Sequence, residues 1–287
     1  MTSQSTIVYW ITPAFVSCAS ALTTTAAFAN TWSYFIDENT SYANAPCPFN
    51  PPMNNVNTIT ASLEQVLPAW GSSTGHWYNV DAWGTDWVEG CDRQYNAPNT
   101  ISGVNGDDYD NADNATLAVF AGHGGLNDIV FPFGVYNVCD VYPYNNARLG
   151  EMSHGTKGPA AYAMWLTCDS LSPAPSYLNS GGKQQLLAQE MGFNTIISIA
   201  DNEPRDFFNN TGTMNNVNGW MLQFNNDADD TDTPRQPVIV SWGSTQLVAQ
   251  NVHNYSSLKQ NAIYARAGAS ACGQGLSAFW WYATWGR

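Results

Sequence analysis

The chain has 287 residues, of which 44% are hydrophobic and only 11% are charged. This composition predicts a folded globular protein, and the length suits one large domain. Acidic residues outnumber basic ones by 23 to nine, which gives a net charge of −14. Because this charge repels phosphate groups, binding to nucleic acid or to an anionic membrane surface is not expected, and cationic partners are favoured.

The choice of polar residues and the cysteines bear on the cellular compartment in which the protein works. The polar residues are mainly Asn, Ser, Thr, Gln and Tyr, a habit typical of secreted or cell-surface proteins. No CxxC pair occurs and histidine is scarce, so a structural zinc site is not predicted. A disulfide between Cys47 and Cys91 is preferred, although spacing alone leaves the connectivity open. The six cysteines are Cys18, Cys47, Cys91, Cys139, Cys168 and Cys272.

Residues 1–29 permit two interpretations. The run from Ile7 to Ala29 is mostly apolar or small, and it ends in an Ala-x-Ala pattern that suits signal-peptide cleavage. Against this, the first six residues carry no Lys or Arg, and Pro13 interrupts the run. The segment is therefore either a signal peptide or a mature N-terminal strand over Ile7–Ile11. Residues 30–287 are predicted to form one α/β domain, with no further stretch able to span a membrane.

The first predicted elements of that domain are two strands and a helix. A strand over Trp32–Ile36 ends at Asp37 and Glu38, and a second strand is predicted over His76–Val80. Between them, apolar residues recur at helical spacing and predict a helix that Pro68 stops. These apolar residues are Ile59, Leu63, Val66 and Leu67.

Two acidic, turn-rich stretches follow different elements of the domain. Asn96–Asn114 contains Asp107, Asp108, Asp110 and Asp113, and Asn225–Pro234 contains Asp227, Asp229 and Asp232. Neither spacing matches a standard calcium loop, so solvated loops are predicted and calcium is the weaker alternative. No cofactor is expected.

Two continuous apolar runs end in residues that can do chemistry. Ala115–Ala121 is followed by Gly122, His123 and two further glycines, and Ala160–Leu166 is followed by Thr167, Cys168 and Asp169. Continuous apolar runs are typical of strands buried on both faces. Next come a predicted helix over Gln184–Met191, with Gly192 just past its end, and a third strand over Asn194–Ala200 that ends at Asp201.

The last part of the chain completes the predicted alternation. A helix is predicted over Val217–Phe224, a strand over Pro237–Trp242 and a short helix over Ser257–Ala267. The aromatic stretch Leu276–Trp285 is predicted as an edge strand or a C-terminal cover. Strands that alternate with helices indicate a mostly parallel sheet with helices on both faces.

Functional groups in such a sheet gather beyond the C-terminal ends of its strands. His123 and Cys168 both occupy this position, so neighbouring strands would bring them face to face. An imidazole favours the reactive thiolate and moves protons, which suits nucleophilic catalysis. The backbone N–H groups of Gly124 and Cys168 are candidates for holding an oxyanion.

These motifs resemble the caspase-like cysteine peptidases, a superfamily that includes caspases, metacaspases, legumains and gingipains. The block AVFAGHG looks like the metacaspase histidine strand, and WLTCDS is similar to the legumain-type cysteine strand. The stretch from His76 through Phe208 also resembles a bacterial branch of this fold. The resemblance implies a caspase-like three-layer sandwich with a mostly parallel central sheet and helices on both faces.

The same resemblance implies a cysteine endopeptidase, and the polar composition predicts that it is secreted. Cys168 would be the nucleophile, His123 the proton-transfer partner, and Gly124 a part of the oxyanion hole. Acidic residues near the strand tips would bind the substrate and favour cleavage after Arg or Lys; these are Asp201, Asp37 and Asp169. The sequence departs from the family at Thr167, where many relatives have Ala or another small residue, and at Leu171, which interrupts a turn that often contains glycine.

Several alternatives stay open. His154 is a rival for the role of His123, and the tryptophans Trp83, Trp87 and Trp165 are predicted as core rather than as a sugar platform. A catalytically inactive caspase-like binding or surface module is the alternative to the peptidase, and an acyltransferase with the same pair of residues is a third interpretation. The expected partner is a peptide or protein substrate, and the oligomeric state is not predicted.

Overall fold

The computed structural model describes the chain in segments. They are residues 5–7, 32–41, 56–78, 87, 111–125, 128–135, 138–141, 149, 151–152, 156–157, 160–171, 187–195, 199, 202–211, 214–225, 235–243, 245–258 and 280–286.

Thirteen strands and four α-helices lie in these segments. The strands are β1 (Ser5–Ile7), β2 (Ser33–Glu38), β3 (Ser72–Tyr78), β4 (Leu117–Ala121), β5 (Gly124–Gly125), β6 (Asp128–Val135), β7 (Val138–Val141), β8 (Glu151–Met152), β9 (Thr156–Lys157), β10 (Tyr162–Leu166), β11 (Gln189–Phe193), β12 (Pro237–Gly243) and β13 (Trp280–Trp285). The helices are α1 (Val56–Glu64), α2 (Glu203–Asn210), α3 (Asn216–Phe224) and α4 (Gln246–Tyr255).

Eight of the strands form one mixed sheet in the order β1-β13-β12-β11-β10-β4-β2-β3. The five strands from β3 to β11 run parallel to their neighbours. The remaining three, β12, β13 and β1, are added in antiparallel fashion. The chain is therefore an α/β protein, and the predicted parallel core of the sheet is confirmed.

One face of the sheet, which we call the helical face, carries all four described α-helices. Alternate residues of the central strands, such as Val119, Met164 and Met191, pack there in one hydrophobic cluster with helix residues such as Leu63 and Trp220. The strands are buried on both sides, so their side chains must alternate between two apolar layers. This requirement explains the uninterrupted apolar runs in the sequence.

The opposite face, which we call the aromatic face, is packed with large rings. Trp87 lies at its centre, 0% exposed, with its ring centroid 5.0 Å from that of Trp165 and 6.1 Å from that of Phe120. The interpretation of Trp87 and Trp165 as core residues is thus confirmed. Within the described segments no α-helix covers this face, so the predicted second helical layer is not among the elements seen.

Two small antiparallel sheets accompany the main one. Strands β5, β6 and β7 form a three-stranded sheet that begins directly after His123, and β8 pairs with β9. The sequence analysis did not predict either sheet. Two-residue strands such as β5 and β8 are too short to leave a periodic signal.

Two predictions around β11 are wrong. The helix over Gln184–Met191 is not formed at its C-terminal end, because Gln189–Phe193 is the strand β11 and Gly192 lies inside it. The predicted strand over Asn194–Ala200 is shifted, since β11 has already ended and Asn194 and Thr195 form a bend. Pairing of β11 with both β10 and β12 overrides the local helical preference.

The other predicted elements are confirmed with adjusted ends. Strands β2, β3, β4, β10 and β12 and helices α1 and α3 lie where the apolar patterns place them. The aromatic segment near the C-terminus is the strand β13, but it is flanked by β12 and β1 and is not an edge. Helix α4 was missed, and it ends before the predicted helix over Ser257–Ala267, most of which is outside the described segments.

Residues Ser5–Ile7 form the strand β1, which pairs with β13. The rest of residues 1–29 is outside the described part of the chain, and cleavage of a signal peptide stays a prediction. None of the helices described is long and apolar enough to cross a membrane.

Candidate functional site

The candidate site lies at the C-terminal edge of the parallel strands β4 and β10. These strands are hydrogen-bonded neighbours, and Ala121 is aligned with Leu166 at their ends. His123 and Cys168 each come two residues after this aligned pair. The two residues therefore occupy equivalent positions on adjacent strand tips, about 4.8 Å apart along the sheet if the spacing of the strands continues.

The last residues of the two strands lie on the helical face. Ala121 and Leu166 both belong to the hydrophobic cluster there. His123 and Cys168 follow them beyond the strand ends, where the backbone bends and turns. Both are half-buried.

The turn that carries Cys168 is fixed by hydrogen bonds to β11. The N–H of Asp169 donates to the carbonyl of Thr195 at 3.0 Å, and that of Leu171 donates to Phe193 at 3.0 Å. The hydroxyl of Ser170 accepts from the N–H of Phe193 at 3.2 Å. The three residues that follow Cys168 are therefore anchored to β11 and to Thr195 just beyond it.

Close approach of this turn to β11 requires a glycine at position 192. A Cβ atom there would lie 2.8 Å from Ser170 Oγ, 3.0 Å from Leu171 Cβ and 3.3 Å from Trp165 Cδ1. Distances below 3.0 Å are not tolerated without displacement of the neighbour. The glycine that suggested a helix end is thus a packing site beneath the cysteine turn.

Asp169 has the one positive φ angle, 45°, among the described residues other than glycine. This left-handed conformation is uncommon, although Asp and Asn tolerate it better than most residues. Burial raises the pKa of the Asp169 carboxyl above its usual value. The residue predicted to contact substrate is therefore also the residue that reverses the chain direction after Cys168.

Gly124, the predicted oxyanion residue, belongs to the short strand β5. It is aligned with Ile129 of β6 in an antiparallel pair, and it is half-buried. The three-stranded sheet formed by β5, β6 and β7 therefore starts one residue after His123 and borders the candidate site.

Asp37 does not extend beyond its strand, contrary to the prediction of a tip residue. It lies inside β2, aligned with Phe120, and it is 0% exposed. Its Oδ2 accepts a hydrogen bond from the indole Nε1 of Trp87 on the aromatic face. Because its carboxylate is fully buried against Trp87, a direct substrate contact by Asp37 is not supported.

Some predicted residues fall outside the described segments. These are Asp201, His154, Trp83, the calcium candidates other than Asp113, and four of the cysteines, Cys18, Cys47, Cys91 and Cys272. Asp113 is 1% exposed, which does not fit the predicted solvated loop at that position. Cys168 carries a thiol that is not in a disulfide. The described residues contain no group of three or more His, Cys, Asp or Glu arranged to hold a metal ion.

A charged cluster on the helical face was missed by the sequence analysis. His76 on β3 lies with Nδ1 2.6 Å from Glu64 Oε1 and Nε2 3.4 Å from Glu38 Oε2. The hydroxyl of Thr60 donates to Glu38, and Tyr78 stacks on His76 with ring centroids 4.0 Å apart. These residues come from three separate elements, so no spacing in the sequence announces them.

The two carboxylates decide the direction in which the pKa of His76 is shifted. Burial on its own lowers the pKa of His76, but the contacts and charges of Glu38 and Glu64 outweigh it, and the net pKa is raised. Glu38, with 1% of its side chain exposed, is thereby compensated inside the protein. The cluster joins α1 to β2 and β3, the last two strands at one edge of the sheet.

A second histidine is buried in a neutral network under α3 and α4. His253 Nδ1 lies 3.0 Å from Ser241 Oγ, and its Nε2 lies 2.7 Å from Thr284 Oγ1. Gln189 donates to Ser241 at 3.0 Å, and Asn216 donates to Gln189 at 2.7 Å. Burial lowers the pKa of His253 to about 4. This network is structural, because His253 is 5% exposed and far along the sheet from β4.

Comparison with known proteins gives no relative. No protein-family model, no curated protein and no solved structure matches the chain. The site is therefore argued from its own residues.

Proposed function

We propose that this protein is a secreted cysteine endopeptidase with a caspase-like fold, in which Cys168 is the nucleophile and His123 transfers the proton. The observation that supports the proposal is the alignment of Ala121 with Leu166 on adjacent parallel strands. His123 and Cys168 each follow this aligned pair by two residues, at the same edge of the sheet. A three-layer sandwich with a second helical layer belongs to the same proposal.

The chemistry follows from these two side chains. The Cys168 sulfur, as thiolate, attacks the carbonyl carbon of the scissile peptide bond, and the carbonyl oxygen becomes an oxyanion. The N–H groups of Gly124 and Cys168 are the proposed donors to that oxyanion. His123 gives its proton to the departing amine, which leaves an acyl-enzyme. Water, deprotonated by His123, then attacks the thioester and releases the acid and the thiol.

The proposed preference for Arg or Lys rests on charge. The protein carries a net charge of −14, and Asp169 directly follows the nucleophile. Cationic peptides are attracted to such a surface, and this attraction weakens as salt is added. Asp201 remains a proposed pocket residue, whereas Asp37 is not part of the proposal.

Thiol reactivity tests the proposal directly. The purified protein is treated with an iodoacetamide probe, and the labelled cysteine is identified by mass spectrometry in the wild type and in His123→Ala. We expect Cys168 to be labelled fastest in the wild type, and about tenfold or more slowly when the imidazole is lost. His76→Ala serves as the matched control, because it removes an imidazole from β3, which β2 separates from β4.

The outcome separates the peptidase from the alternative. Rapid labelling that depends on His123 and not on His76 leads to a peptide library, in which cleavage after Arg or Lys should fall with rising salt. Slow labelling that is equal in all three proteins would indicate a non-catalytic binding module. Equal cleavage of acidic and basic peptides would remove the charge preference and leave the nucleophile in place.

A further inference from the structure

Three residues lie side by side just beyond the last paired residues of β2, β4 and β10. They are Asn39, Gly122 and Thr167, which we call the polar row. The N–H of Asn39 donates to the carbonyl of Ala121 at 2.9 Å, and the N–H of Gly122 donates to Leu166 at 3.4 Å. The parallel pairing therefore continues for one residue past the strand ends, and the row is part of the sheet.

The polar row belongs to the aromatic face. Trp165 packs on that face, and a step of two residues brings Thr167 to the same side. Asn39 follows Asp37 by the same step, and Asp37 bonds Trp87 on the aromatic face. His123 and Cys168 come one residue further along the chain than Gly122 and Thr167. The row thus directly precedes the candidate site.

Both side chains of the row are buried with polar atoms that lack partners. Asn39 and Thr167 are each 0% exposed. Among the described residues, neither the Oδ1 nor the Nδ2 atom of Asn39 has a hydrogen-bond partner, and the same holds for Thr167 Oγ1. Unpaired amides and hydroxyls are costly to bury, and in native proteins such groups nearly always bond to protein or to an ordered water. Two side chains with this deficit, at the same edge and two strands apart, suit a shared ligand.

The spacing of the row suits one small ligand. Two steps between parallel strands separate the Cα atoms of Asn39 and Thr167 by about 10 Å. Gly122 stands between them and has no side chain. Asn39 offers a donor and an acceptor, and the Thr167 hydroxyl serves as either, which matches the two to four partners that a buried water requires. There is no charge in the row to hold an ion.

We propose that Asn39 and Thr167 bind one buried water molecule above Gly122. The water completes the hydrogen bonding of three polar atoms and joins the tip of β2 to the tip of β10 across β4. Because Cys168 follows Thr167 and His123 follows Gly122, this water holds the backbone on which both residues stand. The proposal concerns folding and hydration of the edge, and it stands whether or not the protein is a peptidase.

The proposed water is tested by whether Thr167→Val lowers or raises the stability of the protein. Thr167→Val removes the hydroxyl and keeps the shape of the side chain. A hydroxyl that binds the water loses a hydrogen bond on substitution, so the equilibrium constant for unfolding should rise at least fivefold. An unpaired hydroxyl would give the opposite result, because its removal relieves a penalty and unfolding becomes less favourable.

Thr116→Val is the matched control. Thr116 is 6% exposed, and its Oγ1 accepts a hydrogen bond from the N–H of Ser33 at 3.2 Å. This buried threonine has a known partner, so its substitution calibrates the loss expected from one satisfied hydroxyl. Unfolding is followed by denaturant titration with tryptophan fluorescence and circular dichroism.

A double-mutant cycle and a measurement on the wild type complete the test. The effects of Asn39→Ala and Thr167→Val should be non-additive, since either change releases the same water, whereas residues about 10 Å apart without a shared ligand are additive. If the double variant does not fold, a nuclear Overhauser effect between the Thr167 γ-methyl group and a long-lived water decides. A stabilised Thr167→Val, an additive cycle or the lack of this signal would overturn the proposal.

Discussion

The pKa values of two histidines, His76 and His253, are shifted in opposite directions by their surroundings. His76 is surrounded by Glu38 and Glu64, which raise its pKa against the effect of burial. His253 meets only hydroxyl groups, Ser241 and Thr284, and burial lowers its pKa to about 4. Carboxylate partners can therefore reverse the direction in which burial shifts the pKa of an imidazole.

The low pKa of His253 predicts acid sensitivity. In the unfolded chain the imidazole takes up a proton below about pH 6.5, whereas in the folded protein it stays neutral until about pH 4. The contribution to stability is therefore present above pH 6.5 and is lost as the pH falls to about 4, at most about 3 kcal/mol. Denaturant titrations at several pH values should show a steeper loss in the wild type than in His253→Gln. Equal slopes would contradict the assignment.

The left-handed residue after Cys168 makes a second prediction at this scale. Asp169 has φ 45°, a region that a β-branched residue reaches only with strain. Asp169→Asn should leave the free energy of unfolding nearly unchanged, and Asp169→Val should lower it by about 1–2 kcal/mol. Thermal denaturation of the two variants measures the difference. A value near zero for Asp169→Val would show that the turn does not need this conformation.

At the scale of elements, the sequence predicts the apolar strands well and β11 poorly. Strands β4 and β10 are buried on both faces, so every residue is apolar and the signal is continuous. Strand β11 has the sequence QEMGF, and its Gln189 and Glu190 are polar although both are fully buried. Gln189 is bonded to Ser241 and Asn216, and such long-range partners cannot be read from local spacing.

The candidate site was predicted only in part: its strand ends were located correctly, and Asp37 was not. The ends of β4 and β10 could be placed from the sequence because the apolar runs stop at Gly122 and Thr167, and this located His123 and Cys168. Asp37 was assigned to the strand tip because an acidic residue normally ends a buried strand. Its carboxylate instead accepts a hydrogen bond inside the protein from Trp87, a residue 50 positions away in the chain. Pairings of this kind arise only in the folded protein.

Gly192 provides a test of how β11 supports the cysteine turn. Gly192→Ala would bring a Cβ atom to 2.8 Å from Ser170 Oγ and 3.0 Å from Leu171 Cβ. We expect a loss of about 1–3 kcal/mol in the free energy of unfolding, together with a changed labelling rate at Cys168. Gly219→Ala in α3 is the control, because its nearest neighbour would be a methyl group at 3.1 Å. If the two variants behave alike, the turn does not depend on close packing at Gly192.

The whole molecule is organised around the middle of one sheet. The residues of β4 and β10 are buried throughout, and so are those of β11 and β12. At one edge, β3 has exposed residues at both ends, including Trp77 and Tyr78. The four described helices cover the centre of the sheet on one face, and the aromatic rings cover it on the other. The edge strand β3 stays partly accessible.

Hydrogen exchange should reproduce this gradient. Backbone amides of β4, β10 and β11 should exchange most slowly, since they open only with global unfolding, and those of β3 should exchange fastest among the parallel strands. Native-state exchange with mass spectrometry or NMR measures the order. Protection in β3 equal to that in β4 would mean that the edge strand opens only together with the centre.

The pairing of β1 with β13 has a consequence for how the chain acquires its structure. Ser5 is aligned with Trp285, so the first described strand is made on the ribosome long before its neighbour in the sheet exists. Strand β12 likewise waits for β13 along one of its edges. Contacts between residues so distant in sequence slow folding, because the entropy of a long loop is lost before any bond is gained. During synthesis, the parallel half of the sheet can assemble first, and the antiparallel half can close only when the last strand has emerged.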